Sequence, residues 1–166
     1  MKKVAVILGS DSDLKTMQGC FDTLRAMEIP CAVRIISAHR TPEAAAAFAR
    51  SARDEGFGVI IAAAGKAAHL AGALAANTVL PVIGVPVKSS TLDGLDALLS
   101  TVQMPSGMPV ATVAIDGAVN AALLAAQMLA LSDQALTERL AAYRAAQTEK
   151  VLQKDKAISE EYSNLF

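Results

Sequence analysis

Short apolar runs alternate along this chain with longer segments in which apolar residues recur at helical spacing. Five runs rich in Val, Ile and Ala are predicted as strands, at residues 4–8, 32–36, 59–63, 82–85 and 110–115. Helical patterns occupy residues 14–27, 43–54, 69–77, 92–101, 117–131 and 133–154. This alternation predicts an α/β fold: a three-layer α/β/α sandwich with a five-stranded parallel sheet, flavodoxin-like in order, plus an extended C-terminal helix.

Prolines help to place the ends of these elements. Pro42 is predicted in the first turn of the second helix, where its missing N–H is not needed. Pro81 and Pro86 bracket the fourth strand, which is predicted to end before Pro86 because proline cannot donate to a sheet ladder. No linker or repeat divides the chain, so residues 1–155 are predicted as one catalytic domain. Residues 156–166 are predicted as a tail that either crosses onto a neighbouring subunit or frays.

Composition and charge exclude several classes of protein. The net charge is −1 with both signs mixed, so no basic surface for nucleic acid or an anionic membrane is expected. No apolar run approaches the roughly 20 residues of a membrane span, and no signal peptide is recognised, which predicts a cytoplasmic protein. Cys20 and Cys31 lack metal-ligand spacing. No metal is therefore predicted, and both cysteines are expected to be buried apolar side chains rather than redox groups.

Residues 9–13 (GSDSD) form a polar loop between the first strand and the first helix. Two interpretations stay open. Ser10, Ser12 or Asp13 caps the helix, or the serines and the free backbone N–H groups at the helix N-terminus bind a phosphate. Asp13 would repel a phosphate but can accept hydrogen bonds from sugar hydroxyls, so a phosphorylated ribose would use both residue types.

Both histidines follow predicted strands. His39 lies within residues 37–42 (SAHRTP) after the second strand, and His69 follows the third. Because ligands bind at the carboxyl edge of open α/β sheets, the two histidines are predicted in one site. His39 is the candidate general acid and base, since histidine changes charge near neutral pH. Arg40 is the candidate ligand for an anion.

The sequence lacks the motifs of other protein classes that share this architecture. A dinucleotide site would need G-x-G-x-x-G in the first loop and an acidic residue after the second strand. A phospho-receiver would need an acidic residue after the third strand, where residues 64–65 are Ala-Gly. A serine nucleophile would need a G-x-S-x-G turn, which the sequence does not contain.

Five motifs follow one another over nearly the whole chain. They are GSDSD at residues 9–13, SAHRTP at 37–42, AAHL at 67–70, PVIGVP at 81–86, and VQMPSG at 102–107 with PVAT at 109–112. Together they resemble the motifs of the PurE family. Within it, the chain is most similar to the bacterial mutases that convert N5-carboxyaminoimidazole ribonucleotide to 4-carboxy-5-aminoimidazole ribonucleotide in purine synthesis.

The resemblance implies a role for each matched residue. The phosphoribosyl group would be held by Ser10, Ser12, Asp13 and Arg40. The pocket for the base would be formed by Ser37, Ala38, Gly65, Ala67, Ala68 and Leu70, with His69 counted among the substrate-binding residues. His39 would be the catalytic acid and base.

The resemblance also implies a mechanism. Carbon dioxide would leave the exocyclic nitrogen, stay in the closed pocket and add to the adjacent ring carbon, while His39 moves a proton between the nitrogen and carbon sites. Such a route needs no cofactor, and family members are octamers with sites near subunit contacts.

Two departures and two alternatives stand beside this interpretation. Lys66 occupies a position where many members have a small residue, and Ala71 one where many have proline. Lys66 either points to solvent or adds a cation near the carboxylate. The direct carboxylases of the same family tend to have lysine in place of Arg40 and no histidine in place of His69, so the mutases are the better match. A non-catalytic nucleotide-binding module, in which His39 only donates a hydrogen bond, is the alternative from another class.

Overall fold

The computed structural model describes residues 2–90, 92–163 and 165. Within this part of the chain one sheet contains five parallel strands: β1 (Lys3–Leu8), β2 (Cys31–Ile35), β3 (Phe57–Gly65), β4 (Val82–Val87) and β5 (Ala111–Thr112). Their order across the sheet is β2-β1-β3-β4-β5. This is the flavodoxin-like order, so the predicted fold is confirmed.

Helices cover both faces of the sheet. They are α1 (Leu14–Ala26), α2 (Pro42–Ser51), α3 (Leu70–Ala75), α4 (Leu95–Val102), α5 (Ala118–Ala130) and α6 (Gln134–Glu161). α1 and α5 pack on one face and α2 and α3 on the other. α4 contacts α3 and β4, and α6 packs on α5. None of the helices in the described residues is both long and apolar enough to cross a membrane.

The central strands are buried on both faces, and this explains their continuous apolar sequence. In β1, Val4, Val6 and Leu8 belong to the core cluster with α1 and α5. The intervening Ala5 and Ile7 belong to the cluster with α2 and α3. All five are fully buried, as the two-residue period of a covered parallel strand requires. The loop that follows β1 therefore starts from a rigid position.

β2 lies at the edge of the sheet, and its side chains are less covered. Val33 and Ile35 are 43% and 55% exposed. Cys31, at the start of β2, is exposed as well, so the expectation that both cysteines are buried was wrong for this one. Cys20 on α1 is buried, and desolvation raises the pKa of its thiol to about 12.

β4 does not end before its second proline. It continues to Val87, and Pro86 aligns with Ala64 of β3. β5 pairs only with Ile83 and Gly84. Because the neighbouring strand has already ended, no partner on that side requires an N–H at residue 86, and proline is tolerated inside the strand.

β5 is shorter than the predicted residues 110–115 because its pairing with β4 becomes irregular. The N–H of Val113 donates to the carbonyl of Gly84 at 3.1 Å, and that of Asp116 donates to Pro86 at 2.8 Å. Three steps along this segment thus match two steps along β4, and Asp116 has a left-handed φ of 56°. The regular ladder cannot continue across such an insertion.

The last helix runs further than predicted. α6 extends to Glu161, through most of the predicted tail, and every residue from Arg144 to Glu161 is exposed. Residues 164 and 166 of the tail lie outside the described residues. The division into a domain of residues 1–155 and a tail of residues 156–166 stays a prediction.

Candidate active site

The loops after β1, β2, β3 and β4 converge on a pocket of about 450 Å³ at the carboxyl edge of the sheet. The pocket lies where the strand order reverses, between β1 and β3, which is the usual ligand position in such folds. Most of the predicted site residues line it: Ser10, Ser12, Asp13, Ser37, Ala38, His39, Arg40, Gly65, Ala67 and Leu70. Four separate segments of the sequence therefore form one site.

Two predicted residues are not part of the pocket wall. Ala68 is 2% exposed and lies behind it, where its carbonyl accepts a hydrogen bond from the buried hydroxyl of Thr101 at 3.3 Å. His69 precedes α3 and reaches the site through a contact with His39.

The loop after β1 is held by a reciprocal capping box. The hydroxyl of Ser10 accepts from the N–H of Ser12 at 3.3 Å, and the carboxylate of Asp13 accepts from the N–H of Ser10 at 3.1 Å. This confirms that the loop caps a helical turn. A phosphate role for the serines stays a prediction, and the capping box fixes the loop that would perform it.

Asp13 is a buried carboxylate, only 7% exposed. Desolvation raises the pKa of this carboxyl above its ordinary value, and the neighbouring Asp11 adds a smaller increase. Hydrogen bonds from Ser10 and Ser12 act in the opposite direction without cancelling the effect of burial. Keeping the ionised carboxylate of Asp13 as a hydrogen-bond acceptor at the pocket therefore lowers the stability of the folded protein.

We expect Asp13→Asn to raise the free energy of unfolding at neutral pH. Because the pKa of Asp13 is raised in the folded state, its contribution to stability is present below the ordinary value of 3.8 and lost as pH rises through the folded-state pKa. Asparagine stays neutral, and its amide oxygen can still accept from the N–H of Ser10. Urea unfolding of both proteins at pH 7 and in mild acid would measure the difference.

The control for this prediction is Asp54→Asn, which changes an exposed carboxylate outside the pocket. It should give no gain that depends on pH. A gain for Asp13→Asn of equal size at both pH values would show that burial of the charge is not the cause.

The loop after β2 is fixed by Ser37 and Thr41. The hydroxyl of Thr41 accepts from the N–H of Ser37 at 3.0 Å and donates to its carbonyl at 2.9 Å. The hydroxyl of Ser37 accepts from the backbone N–H of Arg40 at 3.2 Å and from its Nε at 3.4 Å. These bonds orient the guanidinium group of Arg40 at the pocket while its remaining N–H groups keep their capacity to bind an anion.

His39 and His69 form a direct pair. Nε2 of His39 lies 3.0 Å from Nδ1 of His69, and the rings are nearly perpendicular, with an interplanar angle of 87°. One of these two nitrogens must carry the shared proton for the hydrogen bond to form. Both rings are exposed in the single chain. The pair places a group that can gain or lose a proton at the pocket, with a partner that fixes its orientation.

The structure adds pocket residues that were not among the predicted site residues: Gly9, Ala64, Val87, Lys88, Ser89 and Ser90, together with Lys66, for which the sequence left open a place in solvent or beside the carboxylate. The residues after β4 carried a usable signal, because they follow a strand at the same edge as the histidines. Among them, the ammonium group of Lys88 pairs with Asp93 at 3.1 Å, and the backbone N–H of Lys88 donates to the carboxylate of Asp116 at 2.8 Å. Among the described residues, no group of three or more His, Cys, Asp and Glu could hold a metal ion.

The fold and the pocket define a flavodoxin-like α/β protein with a polar pocket at the point where the strand order reverses. Comparison with known proteins identifies the family to which this chain belongs. The sequence model of the AIR carboxylase family matches residues 3–150, and the chain belongs to that family.

Relatives with known names support this family assignment. An N5-carboxyaminoimidazole ribonucleotide mutase of Brucella melitensis is 60% identical over 91% of this chain and 94% of its own length. A mutase of the same name from Escherichia coli is 52% identical over 91% and 90%. The crystal structure of Treponema denticola PurE has a TM-score of 0.83 at 29% identity, covering 93% of this chain and 96% of that one. The resemblance to the PurE family inferred from the sequence motifs is confirmed.

Proposed function

We propose that this chain is an isomerase that converts N5-carboxyaminoimidazole ribonucleotide to 4-carboxy-5-aminoimidazole ribonucleotide in purine synthesis. The observation that carries the proposal is the hydrogen-bonded pair of His39 and His69 at a pocket that also presents Asp13 and Arg40. The names of the relatives from Brucella melitensis and Escherichia coli support the same activity.

Each part of the substrate has a candidate partner in the pocket. Ser10, Ser12 and Arg40 bind the phosphate, since hydroxyls, N–H groups near a helix start and a guanidinium group all favour phosphate oxygens. Asp13 accepts hydrogen bonds from the ribose hydroxyls. The small side chains and backbone of Ser37, Ala38, Gly65, Ala67 and Leu70 leave room for the flat base.

His39 gives away one proton and later takes one back, so its protonation state is the same at the start and the end of the reaction. Protonated His39 gives its proton to the exocyclic nitrogen as the bond from that nitrogen to the carboxyl carbon breaks and carbon dioxide is released. The adjacent ring carbon then attacks the retained carbon dioxide, which forms the new carbon–carbon bond. The ring carbon finally returns its proton to His39, so the atoms and charges balance.

His69 positions the catalytic ring. Its Nδ1 holds Nε2 of His39 at 3.0 Å, so it limits rotation of the His39 ring and selects which nitrogen carries a proton. Such a partner keeps the acid and base in reach of both the nitrogen and carbon sites.

We also propose a homo-octamer in the cytoplasm, with neighbouring chains closing the pocket. Retaining carbon dioxide requires that water be excluded, yet both histidines are exposed in the single chain. Exposed apolar side chains offer contact surfaces: Val33 and Ile35 on β2, and Val151, Leu152 and Ile158 on α6. Sedimentation of the purified protein would measure the number of chains.

An assay with two substrates tests the activity. We expect turnover of N5-carboxyaminoimidazole ribonucleotide without added bicarbonate, and little carboxylation of aminoimidazole ribonucleotide in buffer with bicarbonate. The reverse result would assign the chain to the direct carboxylases. Binding of both nucleotides without turnover of either would indicate a non-catalytic module.

A further inference from the structure

Lys66 is a pocket residue whose side chain has no partner among the residues that the structure describes. It follows β3 directly, lines the pocket and is exposed. The side chains of the other two cations in the pocket have partners within the protein. Nε of Arg40 donates to the hydroxyl of Ser37 at 3.4 Å, and the ammonium group of Lys88 pairs with Asp93 at 3.1 Å. The ammonium group of Lys66 forms no hydrogen bond or ion pair with any residue in the described ranges. It is therefore available to a ligand.

The backbone of Lys66 is strained. Its φ is 55°, in the left-handed region where a β-carbon is crowded and glycine is preferred. A strained residue with a long side chain at a pocket indicates that the side chain contributes something there that glycine would not.

The charges of the pocket match those of the proposed substrate. Three lining residues are cations, Arg40, Lys66 and Lys88, and one is a carboxylate, Asp13. A phosphate monoester carries about −1.5 to −2 at pH 7, and the carboxyl group of the substrate adds another negative charge. Arg40 and the serine loop account for the phosphate, which leaves the carboxylate without an assigned cation.

Lys66 lies on the segment that serves the reacting end of the substrate. Gly65 and Ala67 flank it and belong to the proposed pocket for the base, and His69 follows in the same turn, with its N–H bonded to the carbonyl of Ala67 at 2.9 Å. The carboxyl group moves between two neighbouring atoms of that base. A cation beside it can neutralise the carboxylate on either atom.

We infer that Lys66 binds the carboxylate of the substrate and product and so makes this pocket discriminate carboxylated from decarboxylated aminoimidazole ribonucleotide. The inference rests on the proposed function and extends it to a specificity residue.

Calorimetric titration with two nucleotides tests the inference. The probes are 4-carboxy-5-aminoimidazole ribonucleotide and aminoimidazole ribonucleotide, which share the phosphate and ribose but differ in the carboxyl group. We expect Lys66→Met to weaken binding of the carboxylated nucleotide by about tenfold, the scale of one charge-assisted hydrogen bond. Binding of the decarboxylated nucleotide should change by less than about twofold, since that ligand has no group for the lysine to contact.

Three further variants separate charge from folding. Lys66→Arg keeps a cation and should keep the discrimination. Lys66→Gly removes the cation and the strain together, so it should lose the discrimination while melting no lower than the native protein. Lys2→Met removes an exposed cation before β1, at the opposite edge of the sheet, and should bind both nucleotides as the native protein does.

Each other outcome overturns the inference. Equal weakening for both nucleotides would place Lys66 at the phosphate, and unchanged binding of both would leave it in solvent. If the native protein binds neither nucleotide, the proposed function fails first and the role of Lys66 fails with it.

Discussion

Replacing His39 with asparagine should abolish turnover while leaving nucleotide affinity nearly unchanged. Asparagine keeps a polar amide of similar reach, which can bond to His69 or to substrate, but it cannot give and take a proton near neutral pH. Loss of a general acid and base costs about 10²–10⁴-fold in rate. The measurement is the initial rate with saturating N5-carboxyaminoimidazole ribonucleotide, together with a calorimetric titration of the product.

The matched control is His69→Asn. This variant removes the partner at 3.0 Å but keeps the imidazole of His39, so it should lose less activity than His39→Asn. If His39→Asn retains turnover, the acid and base lies elsewhere. If it loses turnover and affinity in equal measure, His39 is a binding residue, as the non-catalytic module would have it.

Replacing Arg40 with alanine should weaken nucleotide binding strongly. A guanidinium group paired with phosphate forms charge-assisted hydrogen bonds, and removing it costs about 1.5–3 kcal/mol, or roughly ten- to hundredfold in affinity. The loss should be the same for carboxylated and decarboxylated nucleotides because both carry the phosphate. Titration of each nucleotide measures it.

Two variants check the cause. Arg40→Lys keeps the charge but loses the planar pair of donors and should recover only part of the affinity. Arg25→Ala removes an exposed arginine of α1 that pairs with Asp22 outside the pocket, and it should bind as the native protein does. A fall in turnover for Arg40→Ala without a fall in affinity would move Arg40 away from the phosphate.

The sheet could be predicted because its central strands are apolar over nearly their whole length. Both faces of β1 and β3 are covered, so the sequence shows short runs such as residues 4–8 without polar interruption. Single strands alternating with helices leave few possible connections, and the flavodoxin-like order is among them.

Element ends were harder to predict because they depend on neighbours in space. Pro86 is tolerated inside β4 only because β5 has already ended beside it. α6 continues to Glu161 through exposed residues in which large apolar side chains are sparse after Leu152, so the sequence pattern does not place the end of the helix.

The site could be predicted as a set of loops, whereas its contacts could not. The rule that strand ends share one edge brought His39 and His69 together, but their hydrogen bond depends on side-chain directions that spacing does not encode. The same limit explains Ala68, which lies behind the wall while its neighbour Ala67 lines the pocket. The left-handed backbone of Lys66 is equally invisible in the sequence, because lysine rarely adopts it.

The unequal burial of the two cysteines makes the chain a convenient substrate for selective labelling. The thiol of Cys20 is enclosed, with its pKa raised to about 12, so it stays protonated and unreactive at neutral pH. Cys31 is exposed on the edge strand of the single chain and does not line the pocket. A maleimide dye would therefore attach at Cys31 and not at Cys20, and the rate of labelling would report whether a neighbouring chain covers the β2 edge.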